Sequence, residues 1–342
     1  MKEFNIVLVG FGTVGRSFAK LVATKGKSIE DKYGIRLKIV GIVDSSGAVI
    51  KEEGFTLYEL LRLCELPRST LGSYTPYGVR NASVRDVYSK VIPDIHVEAT
   101  PSNYENGEPG LSNILYALEN SVNVVSSNKA PFVLRYRDIM DLASRKKVKV
   151  KFKATVMAGT PLIDLLMSLK GYEIEYIEGI LNGTTNFILT EMHENLVTYD
   201  EALRKAQALG IAEANPDLDV KGWDPAAKLV IISNVIGKPI NLSDVVREDV
   251  SRLDIKEVYK AIKENSVIKF IAKLNVRDRS ASVRLTKIPR NNIFASITGT
   301  LNAVKIVTDV NEIIVIGKGA GGFETAHAIL DDVISIAQEV MG

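Results

Sequence analysis

Residues 4–9 form a short apolar run that stops at Gly10-Phe11-Gly12-Thr13-Val14-Gly15, after which Val14, Phe18, Leu21 and Val22 follow at helical spacing. An apolar segment of strand length that breaks at glycines and resumes with a period near 3.6 predicts strand, tight turn and helix. In that setting each glycine has its own task. The first permits the turn, the second lets backbone approach a pyrophosphate, and the third lets helix and strand pack closely. The helix N-terminus adds amide donors and the positive end of the dipole, so residues 10–15 are expected to bind a dinucleotide. A glycine turn between strand and helix can also be purely structural, and only its position here raises it above that.

The rest of the N-terminal half repeats the alternation. A second strand over residues 37–43 ends at Asp44, and the charged stretch 25–36 predicts a helix end followed by a surface excursion. Further strands are expected at 95–99, 122–126 and 148–152, alternating with helical patterns around 58–64, 111–118 and 139–145. Such alternation implies right-handed crossovers and a mostly parallel sheet, a Rossmann-type α/β domain. After about residue 152 the pattern changes to a long strand around 172–181, several helices, and two runs, 267–276 and 281–285, close enough to be antiparallel neighbours. That is a second, α+β domain. A chain of 342 residues exceeds what one core usually supports, so two domains are expected: 1–152, completed by the last helix at about 317–342, and 153–316.

Composition excludes several classes. Forty-three basic against 41 acidic residues, with no basic block, argue against a nucleic-acid or anionic-membrane partner. No apolar stretch has membrane-spanning length, and the N-terminus runs into a strand with no secretory signal. The lone Cys64 continues the stripe Leu57, Leu60, Leu61, which makes it core filler and excludes an internal disulfide, as in a reducing cytoplasm. His96, His193 and His327 have no ligand spacing, which disfavours zinc chemistry.

Candidate site residues follow from where parallel sheets bind ligands, outside the carboxyl ends of their strands. Asp44 can accept from the ribose hydroxyls and repel a 2′-phosphate, or simply start the turn Ser45-Ser46-Gly47. It favours NAD over NADP, although Ser45, Ser46 and Lys51 could accommodate a phosphate. Thr100-Pro101-Ser102 and Ser127-Asn128-Lys129 follow two other strands, placing Lys129 at the rim of the cofactor crevice unless it is an ordinary solvated loop lysine. Downstream, Asp224-Pro225 reads as a helix N-cap followed by its first residue. Lys228, one turn on, falls among Ile231, Ile232 and Val235, with Ser233 and Asn234 on the other side. A lysine aimed into apolar surroundings needs a carboxylate partner or a shifted pKa, and Asp224 can be that partner. Gly183-Thr184-Thr185-Asn186 ends a strand with a hydroxyl-rich turn, suited to an amino-acid carboxylate and equally to a plain helix N-terminus.

Together these residues resemble the homoserine dehydrogenase family from end to end. Residues 10–15, Ser127-Asn128-Lys129, Ala158-Gly159-Thr160-Pro161, Asn182-Gly183-Thr184-Thr185-Asn186, the stretch 213–228 and the segment 319–325 stand in the family's order. The stretch 213–228 is the specific part. The resemblance implies hydride transfer between NAD(P) and the terminal carbon linking L-homoserine and L-aspartate 4-semialdehyde, in threonine and methionine biosynthesis, by a cytoplasmic homodimer. It implies that Lys129 and Lys228 flank the reacting oxygen, that Asp224 supports Lys228, and that Glu213 holds the substrate ammonium with Asp219, Thr184 and Gly183 lining the pocket. Thr100 and Gly321 join residues 10–15, Asp44, Ser127 and Lys129 around the cofactor. The family's monovalent-cation site (Na+ or K+), made of backbone carbonyls, maps onto Lys153, Val156, Ala158 and Thr160. Lys153 stands where the family commonly has Glu, and Gly317-Lys318-Gly319 where Gly-Pro-Gly is more usual. The chain ends soon after its last helix, so the resemblance implies a short form without a C-terminal regulatory domain or fused kinase, and no threonine feedback through such a domain.

Two other readings remain at this point. One is a related dehydrogenase acting on another amino or hydroxy acid. The other is a non-catalytic NAD(H)-sensing regulatory protein, which would leave an embedded Lys228 without a purpose.

Overall fold

A computed structural model describes residues 1–342, which form two compact units, Met1–Thr155 with Gly321–Gly342, and Val156–Ala320. The first unit runs β1 (Lys2–Val9), α1 (Thr13–Tyr33), β2 (Ile35–Asp44), β3 (Gly47–Ile50), α2 (Leu57–Glu65), β4 (Gly78–Arg80), α3 (Val84–Tyr88), β5 (Ile95–Glu98), α4 (Gly110–Glu119), β6 (Asn123–Ser126), α5 (Ala130–Leu134), α6 (Tyr136–Lys146) and β7 (Val150–Lys151). The second runs α7 (Leu162–Ser168), β8 (Ile174–Ile180), α8 (Gly183–Glu194), α9 (Tyr199–Ala208), α10 (Asp217–Val220), α11 (Trp223–Val235), β9 (Val246–Arg247), α12 (Ile255–Lys263), β10 (Ser266–Asn275), β11 (Ala281–Pro289), β12 (Leu301–Thr308) and β13 (Glu312–Lys318). The last helix, α13 (Gly322–Met341), belongs to the first unit, where it packs on α1. No helix is long and apolar enough to cross a membrane.

The seven strands of the first unit are ordered β4-β3-β2-β1-β5-β6-β7. From β2 through β7 by way of β1 the neighbours are parallel, whereas β3 and β4 return antiparallel. The chain moves outward from β1 to β4 and then crosses back to β5, so the order reverses at β1, where such sheets bind their ligands. The core is the apolar face of α1, α2 and α13 laid on the strands, with Phe4, Phe18, Ile39, Leu63 and Ile329 fully buried. The second unit has the order β13-β12-β8-β10-β11-β9, antiparallel except for β11 with β9.

One expectation is corrected here. Residues 25–36 hold no surface excursion; α1 simply continues to Tyr33 and is closed by Gly34 in the left-handed conformation at φ 68°. The charges are its outer face, with Lys27 paired to Glu30 at 3.6 Å and to Asp31 at 2.8 Å, while Ile29 keeps the buried stripe going. Extra helical turns therefore separate the glycines from Asp44. Strands β3 and β4 went unseen in the sequence because four and three residues are too few to show a period.

The glycines of the first turn are not equivalent. A Cβ on Gly15 would lie 2.0 Å from the Gly10 carbonyl oxygen, and one on Gly10, at φ +95°, would lie 2.5 Å from the Ala99 carbonyl carbon. Gly12 has nothing within 4 Å of that position. Gly15→Ala is accordingly expected to lose about 1–3 kcal/mol by overpacking, and Gly12→Ala to stay within about 0.5 kcal/mol of the parent; denaturant unfolding of both variants measures the difference.

Candidate active site

In the first unit the relevant residues collect at the carboxyl ends of β1, β2, β5 and β6. The Gly10 N–H donates to Val43 O at 2.9 Å, tying the glycine turn to the end of β2. Thr13 opens α1, and a Cβ on Gly322 would lie 2.5 Å from its methyl group, so the N-termini of α1 and α13 stand side by side. Gly321, at φ +127°, makes the turn into α13 and leaves no room for a side chain beside Glu324.

Asp44 is occupied in part by the turn that follows it. Its Oδ1 accepts from the Ser46 N–H at 2.8 Å and the Ser46 hydroxyl at 2.6 Å, and its Oδ2 from the Leu71 N–H at 3.3 Å. The turn reading of Asp44 is thus seen directly; a carboxylate has about four acceptor sites, and three are taken here. Lys51, in contrast, is paired with Glu59 at 2.7 Å and is not held ready for a phosphate. Two neighbours were missed. Arg68 donates to the Thr13 hydroxyl at 3.0 Å, and the hydroxyls of Ser69 and Ser45 are 2.7 Å apart. No motif points to them, because they fold back onto Thr13 and Ser45 from 55 and 24 positions away.

Thr100 and Ser127 follow β5 and β6, and Lys129 is half-buried as the residue before α5, not a solvated loop lysine. The Ser127 N–H donates to Glu98 O and the Lys129 N–H to the Ser102 hydroxyl, each at 3.0 Å.

In the second unit the central feature is Lys228, 4% exposed on α11. Its ammonium lies 2.7 Å from Asp224 Oδ2 and donates to Leu181 O at 2.6 Å. Asn182 donates to Asp219 Oδ1 at 2.6 Å and to Asp224 Oδ2 at 2.9 Å, while its own oxygen accepts from the Thr185 N–H at 2.9 Å as the cap of α8. Lys228, Asp224 and Asp219 are thereby gathered beside Gly183 and Thr184, the first residues of α8. The Thr184 hydroxyl donates to Ile211 O at 3.2 Å. Glu213 is exposed on the segment between α9 and α10 and is not joined to this group by a hydrogen bond or ion pair. Burial, then the adjacent Asp224, push the Asp219 carboxyl above its ordinary pKa, and Asn182, Lys228 and Thr184 only partly oppose them.

Two local expectations change. Asp224 is not the N-cap of α11. Gly222, at φ 74°, takes that position, so the helix starts two residues early, at Trp223, whose ring carries the Arg247 guanidinium stacked 3.7 Å over it. The Asp224 carboxylate is left to face Lys228 one turn on. Nor is Lys228 on a one-sided stripe, because every residue from Pro225 to Ser233 is buried.

The loop before α7 also departs from ordinary geometry. Met157 and Ala158 are consecutive non-glycine residues at φ 60° and 45°. The buried Val156 and Ala158 give the chain no hydrogen bond through their carbonyls, whereas Thr160 O accepts from the Leu162 N–H at 2.8 Å. Lys153 is explained otherwise, since its ammonium pairs with Asp331 at 2.5 Å and Asp332 at 3.4 Å of α13.

A sequence model described as homoserine dehydrogenase matches residues 161–334. The homoserine dehydrogenase of Methanocaldococcus jannaschii is 38% identical over 97% of this chain and 98% of its own length. The chain belongs to the homoserine dehydrogenase family. A relative from Pseudomonas canavaninivorans named NAD(+)-dependent homoserine dehydrogenase is 37% identical over 99% of the chain and 97% of its own length. Among solved structures, one described as a putative homoserine dehydrogenase from Archaeoglobus fulgidus superposes with a TM-score of 0.86 at 34% identity, covering 97% of this chain and 99% of its own. A hyperthermophilic archaeal homoserine dehydrogenase in complex with NADPH gives 0.84 at 31% identity, covering 99% and 98%.

As in other homoserine dehydrogenases the fold is a Rossmann-type domain plus a second domain, and the raised Asp219 carboxyl has a measurable consequence there. A group whose folded pKa lies above its unfolded one contributes stability that is complete below the unfolded value and lost as pH rises through the folded one. Asp219→Asn removes that loss. The variant is expected to melt higher than the parent at neutral pH, with the gap closing as pH falls, which melting curves across pH will show.

Proposed function

We propose that this chain interconverts L-homoserine and L-aspartate 4-semialdehyde by reversible hydride transfer with NAD or NADP, within the biosynthesis of threonine and methionine. The observation that carries the reading is the buried Lys228, paired with Asp224 and held by the Leu181 carbonyl. Oxidation of the alcohol sends a hydride from the carbinol carbon to C4 of the nicotinamide and a proton from the hydroxyl to a base. Lys228 is the general acid/base in this reading, with Asp224 aligning its nitrogen and Lys129 polarising the oxygen or relaying the proton. Gly183 and Thr184, at the start of α8, offer amides and a hydroxyl to the substrate carboxylate. Asp219 takes the substrate ammonium with Glu213. Its raised pKa supports that assignment, because a carboxyl that lacks compensation in the empty pocket is one that a bound cation relieves.

The dinucleotide is assigned to the first unit. Its pyrophosphate lies on residues 10–15, its adenosine ribose by Asp44, and the reactive end by Thr100, Ser127 and Lys129, with Gly321 completing the cradle. Asp44 favours NAD, while Arg68 adds a cation that NADP could use. The carbonyls of Val156, Ala158 and Thr160 would hold a monovalent cation and bring fixed positive charge to that loop; the strained backbone at 157 and 158 and two carbonyls without partners suit such an ion. A homodimer belongs to the same reading, supported by the exposed Ile314 and Ile316 on the edge strand β13. So does a cytoplasmic location without a nucleic-acid partner, supported by the near-balanced charge and by Cys64, free, buried and pushed up to about 11 by desolvation.

The test is a steady-state assay of the NAD(P)H absorbance with homoserine against NAD and NADP in parallel. Lys228→Met, which keeps the stem and removes the amine, is expected to lose about two or more orders of magnitude in turnover, with circular dichroism confirming its fold. Near-parental turnover in that variant would take Lys228 out of the mechanism.

A further inference from the structure

Glu98, the last residue of β5, is 0% exposed, in register with Val9 of β1 on one side and Ser126 of β6 on the other. Its Oε1 accepts from the Thr100 N–H at 3.0 Å and from the Thr100 hydroxyl. Its Oε2 accepts from Asn113 Nδ2 at 3.1 Å and faces His96 Nε2 at 3.3 Å. The reaction as assigned above makes no use of this group.

The direction of each bond can be worked out. Asn128 Nδ2 can only donate, so the Thr100 oxygen receives it at 3.0 Å and keeps its own proton for Glu98. The Ser102 hydroxyl receives the Lys129 N–H at 3.0 Å and gives its proton to Asn128 Oδ1 at 3.0 Å. Donors therefore run without a break from Lys129 through Ser102, Asn128 and Thr100 to Glu98. The Tyr88 hydroxyl, kept protonated by burial and then by Tyr116 and Glu98, lies 3.2 Å from His96 Nδ1, and the tautomer with its proton on Nε2 presents a further donor to Glu98. Four donors then surround the carboxyl: the Thr100 N–H and hydroxyl, the Asn113 amide and the His96 ring.

The field of a buried carboxylate is screened far less than that of a surface charge. Glu98 stands at the carboxyl end of β5, next to the strand where the sheet order reverses. With the pyrophosphate at residues 10–15 and the adenosine at β2, the other half of a dinucleotide extends over β5 and β6. The oxidised nicotinamide ring carries a positive charge and the reduced ring does not. We propose that Glu98 is a positioning residue for this reaction: it fixes the turn carrying Lys129 through Thr100, Asn128 and Ser102, and its charge favours the oxidised cofactor over the reduced one. This rests on the dinucleotide reading of the first unit.

Calorimetric titration of the full chain with NAD+ and NADH, and with NADP+ and NADPH, tests it. Glu98→Gln keeps the shape, and the ring of His96 and the amide of Asn113 can turn an acceptor toward the new NH2. That variant is expected to weaken the oxidised form about tenfold relative to the reduced one. Glu98→Asp keeps the charge and is expected to retain the parental ratio even where its shorter side chain weakens both forms. Equal weakening of both forms in Glu98→Gln, or a ratio altered as much in Glu98→Asp as in Glu98→Gln, overturns the inference and leaves the proposed function standing. A parent chain that binds neither form overturns both.

Discussion

The burial of one ammonium group governs the second unit. Helix α11 is enclosed from Pro225 to Ser233, and a lysine in the middle of such a helix is tolerable only if its charge is met. Asp224 one turn earlier, the Leu181 carbonyl at the end of β8 and the amide of Asn182 on the same carboxylate meet it. Asp224 lies on the same helix and Leu181-Asn182 between β8 and α8, so satisfying Lys228 also fixes where β8 ends and where α8 begins, and the Asn182 amide extends the link to Asp219 of α10. Removing one partner of such a buried pair typically costs about 3–5 kcal/mol. The group that the proposed chemistry needs is therefore also the group the local fold is built around.

Asp219 shows the other side of the same economy. It is close enough to Asp224 for the two carboxylates to repel, and one amide, from Asn182, is shared between them. Burial and that repulsion hold the Asp219 carboxyl above its ordinary range. In the proposed function a substrate ammonium meets that carboxyl, which would favour an amino acid over an uncharged alcohol.

Features carried by local periodicity or by turn chemistry were legible in the sequence. The strand, glycine turn and helix at the N-terminus, the alternation that gives a parallel sheet, and the pairing of Asp224 with Lys228 all depend on residues within a turn or two of each other. What could not be seen depends on long returns of the chain. Arg68 reaches Thr13 from 55 positions away, and Asn182 meets Asp219 and Asp224 from 37 and 42 away. Asn182 did lie inside a quoted motif, and its position as helix cap was the available signal; its second task between two carboxylates was not. Glu98 was hidden because a carboxyl closing a short strand resembles any turn residue until helices cover both faces of the sheet.

The two departures from the family's usual residues have local explanations. The Lys153 ammonium is met by Asp331 and Asp332 on α13. In Gly317-Lys318-Gly319 the enclosed positions are the glycines. A Cβ on Gly317 would lie 2.2 Å from the Thr160 hydroxyl oxygen, and one on Gly319 would lie 2.1 Å from the Asn302 side chain. Lys318 between them is exposed. The turn is specified by what presses on its two flanks, and its middle residue is free to change from an imino acid to a lysine without disturbing either contact.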